Sequence, residues 1–102
     1  MKTIALVFIA ACGLVSAGTP EGEAVFTAKC QPCHGAKGEG KAAIAKMYGV
    51  EMHHLSSREV QSKSDAELKQ IVTAGKGKMK PVAGLTDRQV GDVVAHVRTL
   101  KE

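Results

Sequence analysis

Cys30-Gln31-Pro32-Cys33-His34 is the stretch that decides how this chain folds. Its spacing is C-x-x-C-H, the pattern of covalent haem c attachment. Two residues between the cysteines suit one turn of helix, so both sulfurs can reach the same edge of a porphyrin and form thioethers with its vinyl groups. The imidazole that follows is carried to one face of the ring, where it can bind iron. Two other chemistries share part of the pattern. A thioredoxin-like pair needs a βαβ setting, and none is visible around the motif. A zinc site needs further Cys or His ligands at finger-like spacing, and the sequence has no second C-x-x-C.

Working outward, residues 18–34 read as a helix leading into the motif. Thr19 can cap it and Pro20 suits the first helical position. Glu21 and Glu23 lie where the helix dipole favours negative charge. Gly22 and Phe26 are four apart and share a face. After the motif, Gly35 to Gly40 is glycine-rich. A phosphate cradle would need a strand before it and a helix after it. With no strand there, the stretch reads as a loop that turns sharply. Ala42, Ala43, Ile44, Met47 and Tyr48 predict a short helix with an apolar side, stopped by Gly49.

The second half is more regular. Ser64-Asp65-Ala66-Glu67 is a capping box. Leu68, Ile71 and Val72 follow as an apolar stripe at helical spacing, and Gly75 is a C-terminal stop. Asp65 and Lys69 are placed to pair four apart. In Gly75-Lys76-Gly77-Lys78-Met79-Lys80-Pro81 one thioether stands among lysines, although a lone Met is more often a gap filler. The last helix spans Thr86 to Leu100. Thr86 and Gln89 complete a second capping box, and Val90, Val93, Val94, Val97 and Leu100 form one face.

The pentapeptide, the helix before it, a late Met in a loop and a terminal helix together resemble a small class I c-type cytochrome. The likeness covers nearly all of residues 20 to 100. It implies an all-α single domain packed around one covalently bound haem c, with Cys30 and Cys33 as tethers. His34 and Met79 would be the axial ligands to iron. It also implies that Gly22 and Phe26 pack against the last helix. The chain departs from its relatives in three places. Lys80 separates Met79 from Pro81. No Pro falls between Pro32 and Pro81 to offer the carbonyl that often fixes the ligand imidazole. His96 stands where relatives commonly carry an aromatic. Tyr48 and Arg58 are candidate partners for the haem propionates.

The first residues read as a targeting segment. Lys2 is positive, Ile4 to Val15 is almost wholly apolar, and Val15-Ser16-Ala17 supplies small residues for cleavage. Residues 1–17 are therefore expected to be a cleaved signal peptide and residues 18–102 a cytochrome c domain in the periplasm. The other readings are an uncleaved anchor, or lipid on Cys12 after Ile9-Ala10-Ala11. Cleavage after Ala17 leaves only the two cysteines of the motif. So short a chain buries a modest core and needs a staple, which covalent haem would provide.

Lys and Arg number 14 against 10 acids. Lys76, Lys78 and Lys80 surround Met79, either as a basic rim that would steer an acidic redox partner or as an ordinary solvated loop. Aromatics are 3% of the chain, too few to favour nucleic acid. Met52, His53 and His54 could reach a metal, but gap filling by Met and solvated His are the blander readings. His96 reads as a packed neutral histidine or as a group that titrates near neutral pH. A soluble one-electron carrier, not an enzyme, is the function these features imply. The alternatives are a haem subunit of a larger respiratory or oxidising complex and an open-iron haem enzyme or gas binder.

Overall fold

Thr19 opens the first helix as expected: its side-chain oxygen accepts the Gly22 N–H at 3.0 Å, relieving one of the orphan donors of a helix start. The structure, a computed structural model, describes residues 18–102. The expected signal peptide, with Cys12, lies outside the described residues. Helix α1 spans Pro20–Val25. The chain then passes without a break through a π-helical turn, Phe26–Cys30, into α2, Gln31–His34. One helical run thus carries the motif, but it begins at Pro20 and contains an inserted turn that α-helical spacing did not predict. The Gln31 N–H closes that turn on the Phe26 carbonyl.

Helix α3, Ala42–Tyr48, ends at Gly49 in the left-handed conformation, φ 65°. Met47 and Tyr48 on it are exposed, at 65% and 40%. A short helix α4, Arg58–Gln61, was not expected. Helices α5, Asp65–Ala74, and α6, Asp87–Val97, both carry complete capping boxes. Among the described residues there are no strands, only an isolated antiparallel bridge between Lys76 and Met79. Among the same residues no helix is long and apolar enough to cross a membrane.

The core forms where α1 crosses α6. Val25, Phe26, Cys30 and Val93 are buried, with Leu55, Val72, Leu85, Val97 and Leu100 packed against them. Gly22 makes the crossing possible, because a Cβ there would collide with the backbone carbonyl of Asp92. Phe26 lies with its ring centroid 4.9 Å from that of His96, the planes tilted by 45°. His96 therefore packs on the aromatic of the first helical run, as its place in the sequence implied. Burying a side chain such as Phe26 contributes about 1.5–3 kcal/mol. Leu68 of α5 is buried as well. Asp65 does not pair with Lys69. It accepts from Arg98 instead, at 3.1 Å from Nε and 2.9 Å from Nη2.

Candidate haem-attachment site

The motif occupies the end of the helical run, and its two sulfurs differ in surroundings. Cys30 is buried in the core and Cys33 is exposed, and neither is in a disulfide. Burial first, and the neighbouring Cys33 second, push the Cys30 thiol up to about 11. His34 is half-buried, and burial lowers its pKa below the ordinary histidine value because the charged form is poorly solvated. Burial thus favours the neutral form of the ring, the form that a metal requires.

The glycine loop serves this helix end. Gly35, at φ 86°, stops α2 and donates its N–H to the Gln31 carbonyl at 2.9 Å. The chain then returns so that Gly40 donates to the His34 carbonyl at 2.6 Å and Lys41 to the Cys33 carbonyl at 3.0 Å. Carbonyls that a short helix leaves unpaired are satisfied by the loop that follows. This is the sharp turn the glycines predicted, with a reason: it holds the two residues that end the motif.

Met79 sits in a second loop. Lys76 N–H donates to the Met79 carbonyl and Met79 N–H to the Lys76 carbonyl, each at 2.9 Å. Gly77, at φ 58°, is the first corner of this two-residue turn, the position where glycine is favoured in type II′ turns. Gly75, at φ 82°, lies so close to the returning strand of chain that a Cβ would be 2.6 Å from the Met79 carbonyl oxygen. Val82 N–H donates to the Val72 carbonyl at 2.8 Å, and Val72 packs on the core that holds Cys30. Met79 is half-buried, while Lys76, Lys78 and Lys80 are exposed.

Haem fits the donor set. The His34 Nδ1 is buried with no hydrogen-bond partner among the described residues, and buried polar atoms are seldom left so without a reason. The motif also offers two unbridged thiols one helical turn apart, the chemistry that thioether formation needs. The other candidates stand elsewhere. Tyr48, His53 and Arg58 are exposed and Met52 is half-buried. His54 is not simply solvated. Its Nδ1 accepts the Ser56 N–H at 3.0 Å and meets the Ser56 hydroxyl at 2.8 Å, which leaves the ring proton on Nε2.

Sequence reasoning missed Arg98 and Gln61. Arg98 bonds to Gln61, Lys63 and Asp65 across a sequence distance of 33 to 37 residues, and no local pattern signals contacts that distant. Only the number of donors on the half-buried arginine at the end of α6 could have raised the question.

This all-helical fold, with a C-x-x-C-H segment closing a core-anchored helix, defines a small c-type cytochrome. The chain belongs to the family described as cytochrome C oxidase, cbb3-type, subunit III, which matches residues 17–97. A solved structure titled KustC0563 c-type cytochrome is similar to it, at 25% identity and a TM-score of 0.67. The match covers 79% of this chain and 98% of the other. No curated protein matches the sequence. The family implies covalently bound haem c and electron transfer through it.

Proposed function

We propose that this protein is a soluble periplasmic one-electron carrier and not an enzyme. It would hold one haem c through thioethers to Cys30 and Cys33, with His34 and Met79 as axial ligands. The observation that carries the reading is the buried, unpartnered Nδ1 of the half-buried His34 ring at the end of an anchored helix. When bound, haem c supplies a reversible one-electron couple. The residues of the chain do the rest. Cys30 anchors one tether within the core, and Cys33 places the other at the surface. The Gly35–Gly40 loop fixes the end of the helix that presents the imidazole. The Met79 thioether would hold the iron opposite the His34 side chain, raise the potential relative to a second imidazole and keep small molecules from the iron. Lys76, Lys78 and Lys80 offer an acidic redox protein a basic face. In this reading residues 1–17 are a signal peptide removed after Ala17, which delivers the chain to the periplasm.

The optical spectrum of the holo-protein tests this, ferric and ferrous, with and without carbon monoxide. The expected result is a weak sulfur-to-iron band at the red end of the ferric spectrum and no response to carbon monoxide. Met79→Ala should abolish the band, open the iron and lower the potential. Rapid carbon monoxide binding by the unaltered protein would instead favour an open-iron enzyme or gas binder.

A second reading, a fixed haem subunit of an oxidising complex, is favoured by the description of the matching family. Fractionation separates the two. A free monomer in the periplasmic fraction supports the carrier, and co-purification with a membrane complex supports the subunit.

A further inference from the structure

We propose that Arg98 and Gln61 are positioning residues for His34, acting from the end of α6 through a relay of hydrogen bonds; this rests on the reading of His34 as an iron ligand. Arg98 has five N–H donors in a rigid fork, and each has a partner. Nε and Nη2 reach Asp65 Oδ1 at 3.1 and 2.9 Å, and Nη2 also reaches the Lys63 carbonyl at 2.6 Å. Nη1 donates to the Gln61 carbonyl at 3.0 Å and to Gln61 Oε1 at 3.2 Å. A guanidinium can only donate, so the Gln61 amide must turn its oxygen toward Arg98 and its nitrogen away. Gln61 Nε2 then donates to the Leu55 carbonyl at 2.8 Å and to the Val97 carbonyl at 3.2 Å.

The relay continues through the backbone. Leu55 N–H donates to the Gly38 carbonyl at 2.8 Å. Gly38 lies in the loop whose next bonds, Gly40 to His34 and Lys41 to Cys33, hold the ligand segment. Packing reinforces the same path. A Cβ on Gly38 would lie 2.8 Å from Leu100 Cδ1 and 3.0 Å from Leu55 Cβ, so Leu100, two residues after Arg98, lies close against this loop. Two kinds of contact from the end of α6 thus converge on the glycine loop. Residues that orient a ligand from outside its contact sphere tune the metal that it holds.

The test uses holo-protein carrying R98Q, Q61L and both, with Arg88→Gln as the control, since Arg88 on the same helix is 87% exposed. Backbone amide exchange at Leu55, Gly40 and Lys41 should accelerate about tenfold in R98Q and Q61L, as expected for losing a net stabilising hydrogen bond. The ferric g values, which read the orientation of the axial imidazole plane, should shift, and the midpoint potential should move in the same direction in both. The double variant should shift no further than the larger single one, because residues in one network are not additive. A lower Tm alone, with Gly40 and Lys41 exchange, g values and potential unchanged, overturns the proposal. Should R98Q fail to retain haem, Arg98→Lys and Asp65→Asn weaken the same network with less disturbance, and no shift in either overturns it too. A wild-type protein without a low-spin, histidine-ligated signal overturns the ligand assignment itself, whereas normal ligation with insensitive variants overturns only the relay.

Discussion

The segment that carries His34 and the loop that carries Met79 are held in different ways. The histidine side ends a helical run whose Phe26 and Cys30 are buried against α6, and its last carbonyls are paired by the glycine loop. The methionine side is a turn closed on itself by two bonds between Lys76 and Met79, with Val82 to Val72 fastening its far end. Its lysines and Pro81 are exposed. Few buried apolar contacts and exposed backbone bonds mark the low-stability end of a structure. One half of the proposed site is therefore built into the core, and the other is attached to it. The methionine side should open first, and without global unfolding.

The largest effect should come from Phe26→Ala, which attacks the built-in half. Loss of a buried aromatic costs about 3–5 kcal/mol, so thermal unfolding should show a much lower Tm in one cooperative transition. If only the methionine loop responded, the division between the two halves would be wrong. Gly75→Val should be next. At φ 82° and with Met79 and Pro81 so close, a side chain there introduces strain of about 1–3 kcal/mol. Amide exchange at Met79 and Val82 should rise while that at Gly40 and Lys41 stays slow. Uniform acceleration at all four would erase the contrast.

The two capping boxes sharpen the comparison further. Ser64→Ala and Thr86→Ala each remove a cap worth about 1 kcal/mol. The first helix feeds the methionine loop and the second buttresses the histidine side. Ser64→Ala should loosen Val82 more than Gly40, and Thr86→Ala should lower global stability. The smallest effect is electrostatic. The Ser64 backbone N–H holds the Glu67 carboxyl below the usual carboxylate range. A depressed folded pKa gives stability that is present above the unfolded value and lost as pH falls through the folded one. Acidification should therefore weaken α5 slightly, and Glu67→Gln should flatten that dependence in a Tm-against-pH series.

Much of this was legible because the informative residues act locally. Thr19, Ser64-Glu67 and Thr86-Gln89 speak to neighbours three residues away, and the structure places all three caps as the sequence implies. Gly22 and His96 were legible through the resemblance, which supplied the crossing that local spacing cannot. Illegible parts depend on distant partners or on geometry outside the usual periods. Asp65 had a suitable cation four residues away in Lys69, yet Arg98 offers a fork with two donors and wins. Helix α4 was hidden because Arg58–Gln61 has no apolar stripe; its Gln61 is fixed by Leu55 and Val97 instead. Tyr48 and Arg58 are exposed.

The π-helical turn at Phe26–Cys30 bears on how the motif is aimed. An α-helix advances each residue by about 100° in azimuth, so the directions available between two of its side chains come in fixed steps. A turn closed over five residues, as Gln31 closes on Phe26, breaks that sequence of steps and sets a new phase for everything downstream. The residues before the turn and Cys33 and His34 after it therefore keep separate phases along one rod. A designer who moved the pentapeptide onto an uninterrupted helix would keep its chemistry and lose its aim.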